Sequence, residues 1–171
     1  MPIPQSVRAS TAVAQSQAYR GELPVRSFER LRPLLADDAG EVQVGLQASK
    51  SQGQARLRGT LDGALTLRCQ RCEKPYAWPM HVEVDLRLVD TEEEEQSVLH
   101  EADPYLVQDD SLPLREIVED ELLLALPMLP RCESCENAIQ ASPAAPADES
   151  GEVRREQNPF AALKERLGKQ Q

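Results

Sequence analysis

Apolar and polar positions alternate through most of residues 41–89. Val42, Val44, Leu46 and Ala48 are interleaved with Gln43, Gly45 and Gln47. Ala55, Leu57, Gly59 and Leu61 alternate in the same way with Gln54, Arg56, Arg58 and Thr60. Met80, Val82, Val84, Leu86 and Leu88 alternate with His81, Glu83, Asp85 and Arg87. Successive side chains of a strand point to opposite faces, so a period of two predicts strands with one face buried. Residues 49–53 read as a turn. Asp62-Gly63 is a favoured two-residue hairpin turn, because both central positions take positive φ; it predicts a third strand over 64–68 that runs into Cys69. With a further turn over 69–75, the pattern predicts four strands in an antiparallel sheet or partly open barrel.

The flanks have a different period. Residues 1–40 read as a helical N-terminal part in two pieces, broken at Gly21-Glu22-Leu23-Pro24. In the second piece, over 26–36, Phe28, Leu31, Leu34 and Leu35 fall at helical spacing around a disfavoured Pro33. Residues 90–110 are acidic and irregular, with Glu92–Glu95 as a solvated loop and a short strand at 105–107. Ser111-Leu112-Pro113 starts a helix. Leu114, Ile117, Val118, Leu122 and Ala125 lie on one face of it, and Glu116, Glu119 and Asp120 on another. Pro127 and Pro130 end it just before Cys132. The class is α+β, with a core over 41–139. Residues 140–157 are too poor in apolar groups to pack and read as a flexible linker. Residues 158–168 read as a short amphipathic helix with Asn158 as cap, Pro159 at its first position and Phe160, Leu163 and Leu167 on one stripe.

The four cysteines add a chemical centre. Cys69-Gln-Arg-Cys72 and Cys132-Glu-Ser-Cys135 each let two sulfurs turn to one point, and together they match the four thiolates of a structural zinc site. The first pair ends a strand and the second follows a helix, so such a metal would pin helix to sheet. Two disulfides, metal-free thiols and redox chemistry are the alternatives. Disulfides fit poorly, because the N-terminal residues lack a secretory pattern and the chain reads as cytoplasmic. Redox chemistry fits poorly because Cys72 leads into a turn and a strand rather than a helix. No apolar run approaches the ~18 residues of a membrane span.

Charge is strongly polarised. The net charge is −10, yet residues 83–121 hold 15 of the 29 acidic side chains and only 2 of the 19 basic ones. That stretch would attract a basic protein and repel a phosphate backbone. Arg56, Arg58, Arg68, Arg71 and Lys74, near the first cysteine pair, are candidates for contact with RNA, with Tyr76 and Trp78 as the nearby aromatics; ordinary decoration of a strand surface accounts for them equally well. His81 and His100 fall at surface positions, and a four-thiolate metal leaves no open coordination position, so an enzyme is disfavoured.

Three segments in order carry a family resemblance: Leu67-Arg-Cys-Gln-Arg-Cys-Glu-Lys-Pro75, Leu112-Pro-Leu-Arg-Glu-Ile-Val-Glu-Asp-Glu-Leu-Leu-Leu-Ala-Leu-Pro127 and Asn158-Pro-Phe-Ala-Ala-Leu163. The chain resembles the YceD family, the large ribosomal RNA subunit accumulation proteins, over roughly residues 25–139 and the C-terminal helix. The resemblance implies a bacterial, cytoplasmic, non-enzymatic factor supporting synthesis, processing or stability of large-subunit (23S) rRNA. It also suggests a basic large-subunit ribosomal protein as direct partner, since the family's gene commonly neighbours that of a small zinc-ribbon protein of that subunit. Candidate partner-binding residues are Glu116, Glu119 and Asp120 on the acidic helix, and Phe160, Leu163 and Leu167 in the tail. Direct binding and protection of precursor rRNA by the cysteine knuckles is the competing reading.

Overall fold

The computed structural model describes residues 3–135; the linker expected over 140–157 and the helix over 158–168, with Phe160, Leu163 and Leu167, lie outside the described residues. The elements are β1 (Val7–Arg8), α1 (Ala9–Ala14), β2 (Ala18–Pro24), β3 (Glu41–Ser51), β4 (Gln54–Arg68), β5 (Pro75–Val89), α2 (Glu92–Val98), β6 (Asp103–Leu106), β7 (Ser111–Leu112) and α3 (Leu114–Ala125). Five strands form one open sheet in the order β2-β3-β4-β5-β6, and β1 pairs with β7 beside it. β2 to β5 are antiparallel neighbours, whereas β6 enters parallel to β5. The α+β class and open sheet follow the pattern, with one parallel edge added.

The sheet has one dry face. Val42, Val44, Leu46, Ala48, Leu57, Leu61, Leu65, Leu67, Met80, Val84, Leu86 and Leu88 are buried with Leu114, Ile117, Val118 and Leu122 of α3. Gln43, Gln47, Arg58, Glu83 and Asp85 stand exposed on the other face, the usual arrangement of an antiparallel sheet packed on one side only.

The expected turn at Asp62-Gly63 is not there. β4 runs unbroken for 15 residues, with Asp62 opposite Gln43 and His81, and Gly63 opposite Val42 and Met80. The period of two carries straight through the dipeptide, so Leu61 and Leu65 are buried on the same face. The Asp62 carboxylate meets His81 Nδ1 at 2.5 Å instead of turning back on its own backbone. The β3–β4 hairpin closes at Gln52-Gly53, where φ is +52° and +82°. Hence three long strands occupy the region where the pattern predicts four.

The N-terminal part is also not two helices. Only α1 is helical, and Ala18–Pro24, which includes the expected break, pairs with β3 as an edge strand. Residues 25–35 form two short 3₁₀ turns, Val25–Ser27 and Arg32–Leu34. Pro33 can open such a turn but cannot continue an α-helix, since its ring blocks the preceding turn and it has no N–H. The result buries Phe28 and Leu31 and leaves Leu34 58% exposed. The acidic run is helical rather than a loop: Glu92–Glu95 make the first turn of α2, where the Thr91 hydroxyl accepts from the Glu94 N–H and the helix dipole favours carboxylates. No helix among the described residues is long and apolar enough to cross a membrane.

At Gly59 the β3 backbone comes so close that an added Cβ would lie 1.8 Å from the Gly45 carbonyl oxygen, whereas at Gly45 the nearest atom would be 3.9 Å away. Gly59→Ala is therefore expected to lower stability by at least the ~1–3 kcal/mol typical of overpacking, and Gly45→Ala by much less, as read from thermal melts. The Asp62 carboxylate raises the His81 pKa above its ordinary 6.5, and the Asp62 carboxyl is lowered in return. The contribution of the pair is complete below pH 6.5 for the histidine and fades as pH rises through its higher folded value; on the acid side it fades as Asp62 protonates below 3.8. An NMR titration should show the His81 midpoint above 6.5, and Asp62→Asn should return it toward 6.5.

Candidate metal centre

The first cysteine pair lies in the β4–β5 hairpin. Arg68 and Pro75 are the last paired residues, and the chain closes between them with Cys69 N–H donating to the Lys74 carbonyl (3.0 Å) and Glu73 N–H to the Cys69 carbonyl (2.8 Å). Glu73 takes φ +61° to make this turn, and the Arg68 guanidinium donates to its carbonyl. The second pair follows α3: Pro127 and Pro130 draw the backbone out of the helix, and Glu133–Cys135 form a 3₁₀ turn. The two arms bond directly, Gln70 N–H to the Pro130 carbonyl at 2.9 Å and Cys132 N–H to Cys69 Sγ at 3.4 Å.

All four sulfurs lie within 4.8 Å of one another, with Cys69 and Cys135 Sγ 3.4 Å apart and Cys72 and Cys132 Sγ 3.6 Å apart. A disulfide requires about 2.05 Å, and all four are free thiols. A tetrahedral metal with bonds of ~2.3 Å separates its sulfurs by about 3.8 Å, which falls inside the observed range. Cys69, Cys132 and Cys135 are buried and Cys72 is half-buried. Backbone N–H groups of Cys132 and Cys72 aimed at Cys69 bring its pKa down to about 5, while hydrogen bonds with Cys132 and Cys69, then burial, push Cys135 up to about 12. The Ser134 hydroxyl lies 3.3 Å from Cys132 Sγ. These four residues fit a soft divalent cation, whose charge offsets several thiolates at once, and N–H···S bonds of this kind support ligand geometry from outside.

The basic candidates do not converge. Arg68, Arg71 and Lys74 surround the hairpin, joined by Arg131 from the other arm, which the sequence pattern did not single out. Arg56 and Arg58 sit toward the other end of β4, ten positions or more from Arg68, or roughly 33 Å at ~3.3 Å per residue. Both pair with Asp85 at 3.0 Å. Tyr76 and Trp78 are half-buried and pack against the core, and Tyr76 also packs against the cysteine cluster.

The three acidic helix candidates also separate. Glu119 is 7% exposed, and its Oε1 accepts from the backbone N–H groups of Arg30 (2.6 Å) and Leu31 (3.1 Å). It is a strut that ties residues 30 and 31 to α3, and nothing in the local pattern signals amides so far away in sequence. Asp120 pairs with the Arg30 guanidinium at 2.6 Å, and Glu116 is exposed, with no ion pair among the described residues. Two neighbours the pattern left aside belong with them. Burial, then Asp103 and Asp120, raises the Glu121 pKa, and burial, then Glu116 and Asp120, raises that of Tyr105. Glu116, Asp120, Glu121 and Asp103 thus form one acidic face where α3 meets β6.

Fold and site together define a small α+β protein with a one-sided sheet, a four-cysteine clamp and an acidic helix. The sequence pattern of the family described as large ribosomal RNA subunit accumulation protein YceD matches residues 57–165, more than half of the chain, from within β4 through both cysteine pairs and α3. The chain belongs to this family, whose name ties it to accumulation of the RNA of the large ribosomal subunit. No solved structure matches it.

A metal at this site would restrain the arms more than the sheet, whose core lies apart from it. Chelation of the metal-loaded protein should raise hydrogen exchange at 69–74 and 127–135 while amides of β3 and β4 keep their protection. Cobalt in its place should give the thiolate charge-transfer bands of a four-sulfur site, lost in Cys69→Ser.

Proposed function

We propose that the protein is a cytoplasmic ribosome-assembly factor that supports large-subunit (23S) rRNA by holding a basic large-subunit ribosomal protein, with a structural zinc ion at the four cysteines. The observation that carries this reading is the acidic face at α3 and β6. Among the described residues no Lys, Arg or His pairs with Asp103, Glu116 or Glu121. A cationic partner would relieve that repulsion and be steered by it; an RNA backbone would be repelled. The zinc would supply no chemistry in this role. It would hold the end of α3 against the β4–β5 hairpin and so keep the acidic helix in place.

Direct RNA contact at the knuckles is the second reading. It draws on Arg68, Arg71, Lys74 and Arg131 around the hairpin, while Arg56 and Arg58 lie apart with Asp85, and Tyr76 and Trp78 are half-buried against the core, Tyr76 also against the cysteine cluster. Affinity capture from the native host, with and without nuclease, separates the two. A basic ribosomal protein should survive nuclease at a stoichiometric level and be lost from Glu116→Gln/Asp120→Asn, while Arg68→Glu/Arg71→Glu leaves it in place. Capture that vanishes with nuclease and with the arginine variant would overturn the proposal in favour of RNA.

A further inference from the structure

Five large apolar side chains among the described residues are exposed, and three of them crowd into six positions: Leu124 (80%), Met128 (93%) and Leu129 (61%). They occupy the end of α3 and the segment leading to the second cysteine pair. Scattered apolar residues on a surface need no explanation, but three so close together in one short stretch point to an interaction site. Two contacts fix the backbone of this patch: Leu126, inside it, packs on the core, and the Pro130 carbonyl just after it accepts from Gln70 in the cysteine hairpin. Pro127 and Pro130 restrict the backbone between them.

The patch continues the acidic face. Glu116, Asp120 and Leu124 follow one another at four-residue intervals, one stripe of the helix. Glu121, three residues before Leu124, is half-buried, and its pKa is raised by burial first and then by Asp103 and Asp120. Arg30 offsets Asp120, and among the described residues Asp103, Glu116 and Glu121 have no such counterion.

We infer that the end of α3 is a docking surface for a basic protein segment with an apolar stripe. The aliphatic side chains of the partner would cover Leu124, Met128 and Leu129, while its lysines or arginines would face Glu116, Glu121 and Asp103. Charge selects this occupant. Nucleic acid would bring phosphates to carboxylates, and a second copy of this chain, at −10, would bring more acid to acid. The inference rests on the reading that the chain holds a basic ribosomal protein, and it adds the apolar anchor and its location.

The test uses the full chain and two fluorescein-labelled peptides: a Leu/Lys peptide patterned as an amphipathic helix, and the same peptide with serine for leucine. Fluorescence anisotropy should show the leucine peptide binding about tenfold more tightly, as a buried apolar anchor provides. Leu124→Ser/Met128→Ser should erase that difference while melting like the parent, because both side chains are exposed. Glu116→Gln/Glu121→Gln should weaken both peptides and flatten their salt dependence. Equal binding of the two peptides, or no effect of the double-serine variant, overturns the surface. So does a homodimer that dissociates in that variant, which would give the patch to a second copy. If the double-serine variant loses the leucine peptide but no ribosomal protein is captured from the host, the surface stands and the ribosomal reading falls. If capture succeeds and the variant changes nothing, the reverse holds.

Discussion

The rest of the structure is arranged around β4, whose 15 residues must bury one side chain in two while pairing on both edges. β3 and β5 follow its register, and the α3 face that carries Leu114, Ile117, Val118 and Leu122 joins the apolar side of the sheet. A slip of one residue would expose Leu57, Leu61, Leu65 and Leu67 together, so the register is strongly specified. The same constraint positions the chemistry. β4 ends at Arg68, and the tight return to Pro75 leaves Cys69 and Cys72 at the tip of the hairpin.

The clamp joins elements that would otherwise touch little in this corner. A helix that ends in Leu126-Pro127 has no continuing backbone bonds to hold the segment between its last turn and Cys132. The bond from Gln70 to Pro130, the bond from Cys132 N–H to Cys69 Sγ and the four clustered sulfurs replace them. Closing a long loop through one centre removes much of the freedom of the unfolded chain, which is how such sites add stability beyond the coordination bonds themselves.

Acidic residues of α3 divide between two tasks. Glu119 faces inward and satisfies the N–H groups of Arg30 and Leu31, as a buried carboxylate must have partners. Glu116 and Asp103 are exposed, Asp120 and Glu121 are half-buried beside them, and among the described residues only Asp120 of these four is offset by a cation. One glutamate therefore holds the N-terminal turns to the helix, while its neighbours build a field that reaches into solvent beside an uncovered apolar patch.

Much of this was legible in the sequence. Alternation over 41–48, 54–61 and 80–88 determined the strands and their dry face, because side-chain direction in a strand is a local property. The span and buried stripe of α3 and the four-cysteine set were legible for the same reason, since spacing alone decides which side chains share a face or a centre. Other features depended on distant partners. Asp62-Gly63 has the composition of a turn, and only pairing on both sides kept it in a strand. Ala18–Pro24 has no strong period and became a strand because the edge of β3 was open. Glu119 carries no sign of its role, since the amides it satisfies lie 89 and 88 residues away. Period and spacing are properties of neighbouring residues and belong to the sequence; strand pairing, the burial of Glu119 and the exposure of Leu124, Met128 and Leu129 depend on which distant segments cover which side chains, and only the tertiary structure decides them.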